Sequence, residues 1–122
     1  MEIGTIKALH VFIHEEQYVT AELELNLKGV NYSFGGPNTF RSGLHGGASC
    51  DAPCIGRFLF RCMEICGVDN LDLLKSHKVL VHVENEQVIA IANVAGDRWF
   101  NPKLEFKEMK LEKASSIHPN FI

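Results

Sequence analysis

From Tyr18 to Leu27 the chain alternates without a break, placing Val19, Ala21, Leu23, Leu25 and Leu27 on one side and Thr20, Glu22, Glu24 and Asn26 on the other. A period of two belongs to a strand, because successive side chains leave opposite faces of the pleated backbone. One apolar and one polar face imply a sheet packed on one side and wetted on the other, which antiparallel sheets allow. Residues 3–14 are rich in Ile, Val and Phe and alternate over much of their length. They predict a strand that joins the second as a long hairpin through Glu15-Glu16-Gln17. Lys28-Gly29 breaks the second strand, and Val30 to Phe34 predicts a short third one.

The β-prone stretch from Val79 to Val94 is interrupted only at Glu84-Asn85-Glu86-Gln87. With Asn85-Glu86 as a two-residue turn, Glu84 pairs with Gln87 and Val83 with Val88. Val79, Val81, Val83, Val88, Ala90 and Ala92 then form a core face. Leu80, His82, Ile89, Ile91 and Asn93 form a second face, too apolar for open water and too polar for an interior, as expected of a pocket or a subunit interface. A bent strand or loop is expected at Asp97–Pro102, and the alternation of Lys103 to Leu111 predicts a charged edge strand. The tail from about 112 to 122 is expected to be loosely held.

Five of the ten glycines fall in residues 35–50, with Pro37, Asn38, Ser42 and Ser49, which predicts a flexible loop. A helix follows, with Asp51 as N-cap, Pro53 in the first turn and Gly67 as the C-terminal stop. Ile55, Phe58, Leu59, Cys62, Ile65 and Cys66 share one helical face, and Arg57, Arg61 and Glu64 share the opposite one. A short second helix is expected at Asp69–Leu74, capped by Asp69 or Asn70. The expected fold is therefore α+β, one domain over residues 1–122: an antiparallel sheet of N-terminal hairpin and C-terminal strands, with one main helix and a short second one.

The chain has 122 residues, enough for one core, with 46% apolar and 22% charged side chains, the balance of a globular domain. No apolar run approaches the ~18–20 residues of a membrane span, and Met1–Lys7 lacks the basic-then-apolar pattern of a signal peptide, so a cytosolic chain is expected. Twelve Lys and Arg against fifteen Asp and Glu give a net charge of −3, which argues against a general binder of DNA or RNA polymers. A local anion site stays open, because all four Arg (Arg41, Arg57, Arg61 and Arg98) lie between residues 41 and 98.

Three features could carry chemistry. The glycine-rich loop feeding a helix could offer the backbone N–H groups of Gly46 and Gly47 to an anion, although it has neither a P-loop nor a dinucleotide fingerprint. Arg57 and Arg61, four apart with Phe60 beside them, could clamp phosphate and stack a base, or could simply pair with Glu64. His82 and Asn93 could supply hydrogen bonds to a base or ribose. Cys50, Cys54, Cys62 and Cys66 form two Cys-x3-Cys pairs, a spacing that matches zinc knuckles poorly. Free thiols are expected, with metal or disulfide as the alternatives. His10 and His14 read as surface residues, and Cys50 with His45 or His82 sits in no known nucleophile signature.

The run Gly67-Val68-Asp69-Asn70-Leu71-Asp72-Leu73-Leu74, then His77–Glu84, then Val88–Asn93, closing on Asp97-Arg98-Trp99-Phe100-Asn101-Pro102, resembles the first family of Thoeris anti-defence proteins, over roughly residues 35–106. This sequence departs from the pattern at Asp72-Leu73, where an aromatic–acidic pair is usual, at Lys78-Val79, which lacks a preceding Gly, and in its cysteine cluster. The resemblance implies a phage sponge acting in the host cell cytoplasm, without catalysis and without a cofactor. It would sequester glycocyclic ADP-ribose between subunits of a homo-oligomer (a dimer or a trimer of dimers), and cyclic oligonucleotides at a separate interface. On that footing Phe60, His82 and Asn93 would meet base or ribose, Arg57, Arg61 and Arg98 the phosphates, and Gly46 and Gly47 would add backbone donors. Two other classes compete: a small nucleotide-hydrolysing enzyme using His or Cys, and an inhibitor binding a protein through Leu80, Ile89 and Ile91.

Overall fold

The structure is a computed structural model that describes residues 1–40 and 48–117, the side chains at 48–52 and 110–117 excepted. The architecture is α+β, as the alternation predicts. Six strands, β1 (Glu2–His14), β2 (Tyr18–Leu27), β3 (Val30–Gly35), β4 (Lys78–Glu84), β5 (Gln87–Ala92) and β6 (Trp99–Phe100), form one antiparallel sheet in the order β3-β2-β1-β4-β5-β6. Helices α1 (Pro37–Phe40), α2 (Ala48–Cys66) and α3 (Pro102–Ile117) complete it, with a 3₁₀ turn at Leu71–Leu73 capped by the side chain of Asn70. Among the described residues no helix is long and apolar enough to cross a membrane.

The sheet curls until its two ends meet. β3 and β5, at or next to opposite edges of the strand order, touch one another, and they run in the same direction because four antiparallel steps separate them. A cluster of phenylalanines fills the enclosed space. Phe34 of β3 lies 5.5 Å from Phe58 of α2 and 5.8 Å from Phe100 of β6, and Phe58 lies 5.7 Å from Phe100. Phe40 of α1 meets Phe58 at 5.5 Å and Phe106 of α3 at 5.3 Å, so five rings tie both sheet edges to all three helices. Gly35 permits this packing: its φ is +90°, and a Cβ there would come within 2.7 Å of the Phe58 ring.

Helix α2 buries the expected stripe. Cys54, Phe58, Cys62 and Ile65 are buried, and Ile55, Leu59, Met63 and Cys66 pack at its margins. It stops where Gly67 takes φ +68°, with Val68 N–H bonded to Met63 C=O and Gly67 N–H to Glu64 C=O, the two bonds of a Schellman cap. Its start differs from expectation. The helix is already under way at Ala48, so Asp51 is not an N-cap and Pro53 falls in the second turn. Pro37–Phe40 is helical and 48–50 belong to α2, so these parts of the expected loop are helix; its remaining residues 41–47 lie outside the described residues.

Two further expectations are corrected. Lys103–Leu111 is not an edge strand but part of α3. Asn101 caps it, its Oδ1 accepting from Leu104 N–H at 3.2 Å, and Pro102 takes the first helical position. Lys, Glu, Leu and Met favour helix, and Phe106 and Met109, three apart, reach the core while Leu104 stays exposed. The segment 112–117 is accordingly helix rather than loose tail, and residues 118–122 lie outside the described residues. The second correction concerns β5. The Asn85-Glu86 turn forms as read, but the register slips between His82 and Val83, leaving Ile89 as an extra residue. Beyond that bulge Ile91 sits opposite Val81 and is fully buried in the core, while Ala90 and Ala92 stand opposite His82 and Leu80 on the other face.

Asn85 and Glu86 have φ of +51° and +62°, a type I′ geometry that favours glycine at its second position. Glu86→Gly should therefore raise stability by roughly 0.5–1 kcal/mol in urea unfolding. Phe58→Ala should lower it by about 3–5 kcal/mol. A smaller loss than for an ordinary surface substitution would contradict the role given to the ring cluster.

Candidate functional site

The residues singled out from sequence do not converge. Arg61 is only 14% exposed, and its donors are used within the fold: Nη1 to Glu64, Nε to Glu105 Oε1 at 3.2 Å and Nη2 to the Trp99 carbonyl at 2.7 Å. Its guanidinium also sits 5.1 Å from the centre of the Phe100 ring. Arg57 donates from Nε to Glu105 Oε2 and remains 45% exposed. Both cations thus clamp α2 to α3, where the bland alternative of a Glu64 pair applies to Arg61. Phe60 projects from α2, 52% exposed.

Asn93 organises the β5–β6 loop. Its Oδ1 accepts from the N–H groups of Asp97 and Arg98 at 3.1 and 2.9 Å, and its Nδ2 donates to Asp97 Oδ1 at 2.6 Å. Arg98 is exposed beside it. His82 stands on the outer face of β4, opposite to core-facing Val81, with Nε2 3.4 Å from Glu84 Oε2. The sheet therefore lies between His82 and the arginines. Gly46 and Gly47 lie outside the described residues, as do His45 and the side chain of Cys50.

A different place has the shape of a site. Where the sheet's ends approach without pairing, a cleft of about 720 Å³ opens between β3, the β4–β5 turn and the start of α3. One wall is Asn31, Tyr32 and Ser33, and the other is Gln87, Val88 and Ile89. Phe34 and Phe100 adjoin the lining residues Ser33 and Asn101 in sequence but are themselves buried in the core. Asn101, Pro102 and Lys103 form its third side, with Asn38 and Thr39 of α1 beside them. Amides and hydroxyls share the lining with apolar side chains, Val30, Val88, Ile89 and Leu104 among them, and with Glu22 and Glu86 as carboxylates and Lys103 as the cation. Such groups can bracket a polar small molecule, carboxylates accepting from hydroxyls and Lys103 meeting negative charge. A shallower hollow of about 330 Å³, reaching His10 and Glu24, continues from it across the outer face of β2.

Of the residues given a site role from sequence, Ile89 of the mixed hairpin face is the one described residue that lines this cleft. Asn31, Ser33, Gln87, Asn101 and Lys103 carry no such role in the sequence, because strands distant in sequence order meet there only through the curl. Asn101-Pro102 was the one local signal, as a helix start that would have placed Lys103 in a first turn.

Two thiols of α2, Cys62 and Cys66, are held protonated. Burial raises the Cys62 thiol strongly, with the neighbouring Cys66 adding to it, and burial pushes Cys66 up to about 11. Among the described residues no three His, Cys, Asp or Glu side chains group as a metal site. Because the folded chain holds these protons more tightly than the unfolded one, their contribution to stability is full below the ordinary value of 9.0; that of Cys66 is lost as pH rises through about 11, and that of the more deeply buried Cys62 declines over the same range and beyond it. The urea midpoint should fall across that window, and fall less in Cys62→Ala/Cys66→Ala. Equal profiles would contradict the assignment. Glu105→Ala, which strips Arg61 of a carboxylate partner, should cost about 1–3 kcal/mol, and an unchanged midpoint would mean that the clamp does not hold α3.

No protein-family model matches the chain, and neither the curated proteins nor the solved structures include one similar to it.

Proposed function

We propose that the protein is a non-catalytic sponge for a nucleotide immune signal of the glycocyclic ADP-ribose type, and that the cleft between β3, β5 and α3 receives the ligand. The function class comes from the resemblance of residues 35–106 to the Thoeris anti-defence family. With it come action in the host cell cytoplasm, a homo-oligomeric state and a second capacity for cyclic oligonucleotides. The observation that supports the location is the cleft itself. Its volume of about 720 Å³ falls within the range of small-ligand sites. Its lining suits the parts of such a ligand: amides for a base edge, Glu22 and Glu86 for ribose hydroxyls, and Lys103 for a phosphate.

A sponge acts by stoichiometry, so the number of sites and their binding strength set its effect, and no bond in the ligand need break. Arg57 and Arg61 serve this reading by holding α3, and with it Lys103, against α2. Arg61→Ala should therefore destabilise the fold, whereas Lys103→Ala should leave the fold intact and weaken nucleotide binding about tenfold, the loss of one charge-assisted contact.

Incubation with glycocyclic ADP-ribose, removal of free ligand and heat denaturation should release the compound unchanged, as read by chromatography. Release of a hydrolysed product would favour the enzyme. Calorimetric titration should show Lys103→Ala weakened and Arg57→Ala within about twofold of wild type. The reverse ranking would move the site to the α2 face.

A further inference from the structure

We propose that the free edge of β1 is a self-association surface, on which a second copy of this chain adds its own β1 in antiparallel register. This inference stands apart from the ligand reading. β1 is 13 residues long, yet on the side away from β2 it pairs with β4 only from Glu2 to Thr5. Ile6 makes the last bonds there, its N–H to His77 C=O and its C=O from Ser76 N–H. From Lys7 to His14 no strand covers that edge among the described residues. This stretch is held by β2 alone, with a bulge at Lys7, where the β1–β2 register shifts between Ile6 and Ala8.

An open edge of this length is a template for another strand, and proteins that stay monomeric blunt it with proline, charge or bulges. Here the one bulge sits at Lys7, at the start of the edge, and from Ala8 to Ile13 the run Ala-Leu-His-Val-Phe-Ile has a regular register with β2 and neither proline, lysine, arginine nor carboxylate. Its side chains are also uncovered. Val11 is 48% and Ile13 68% exposed, and their cross-strand neighbour Val19 is exposed too, on the face that carries the core further along the sheet.

The charge pattern identifies the occupant. The apolar run is bounded by Lys7 at one end and by Glu15 and Glu16 at the other. A two-fold contact is self-complementary, residue i meeting j and j meeting i. With Val11 on the axis, Leu9 faces Ile13 of the second copy, and at both ends of the ribbon the bulged Lys7 comes near the turn residues Glu15 and Glu16 that follow the second copy's strand. Parallel pairing would instead set Lys7 on Lys7 and carboxylates on carboxylates. The antiparallel arrangement therefore satisfies the open backbone, the apolar stripe and the charges together.

Light scattering on the full-length chain after gel filtration tests this. Wild type should contain an even number of copies, and Ile13→Lys should halve the mass with the far-ultraviolet circular dichroism unchanged. Lys7→Glu, at an exposed position whose substitution leaves the core intact, should weaken association, and Lys7→Glu/Glu15→Lys/Glu16→Lys should restore it. A wild-type monomer, a mass indifferent to Ile13→Lys, or a charge reversal that fails to restore association would each overturn the proposal.

Discussion

The contact of Phe34 with Phe100 across the Phe58 ring is the interaction on which the rest of the molecule rests. A six-stranded sheet of this kind could lie open with α2 on one face. Instead the rings of one edge strand, one helix and the opposite edge strand meet at 5.5–5.8 Å, and the sheet is drawn around α2. Each aromatic pair adds about 0.5–1.5 kcal/mol beyond the burial of its area. Gly35 is the concession that lets the helix come so close, since any Cβ there would strike Phe58 or the Ala21 carbonyl.

A second, polar lock lies above the rings. Glu105 receives Arg57 and Arg61 together, while Arg61 also holds Glu64 and the Trp99 carbonyl over the Phe100 face. These bonds orient α3, whose first turn carries Asn101 and Lys103 to the seam. The cleft lies along this seam: β3 and β5 run in the same direction without pairing, and the start of α3 lies beside them. The residues that offered the most obvious ligand chemistry in the sequence, the arginine pair, hold the frame of that cleft.

How much of this was legible follows from the range of each interaction. The β2 alternation, the α2 stripe with its Gly67 stop and the Asn85-Glu86 turn are dictated within ten or so residues, and each stands in the structure. Ile91 was misassigned because a single extra residue at Ile89 reverses every later face, and nothing in the composition of Val88–Ala92 announces a bulge. Residues 103–111 satisfy a period of two and a helical period equally well in their apolar positions. What decides between them is the cap at Asn101-Pro102 and the demand that Phe106 meet Phe40. The cleft was least legible, since Ser33 and Gln87 are neighbours only because the sheet curls.

Nucleotide uptake at the seam between β3 and β5, as proposed, can be followed through the backbone amide resonances during titration with glycocyclic ADP-ribose. The largest shifts should fall on Asn31–Ser33, Gln87–Ile89 and Lys103–Leu104, with Arg57–Arg61 little changed. Shifts centred on Arg57, Phe60 and Arg61 with a silent seam, or no shifts at all, would contradict it.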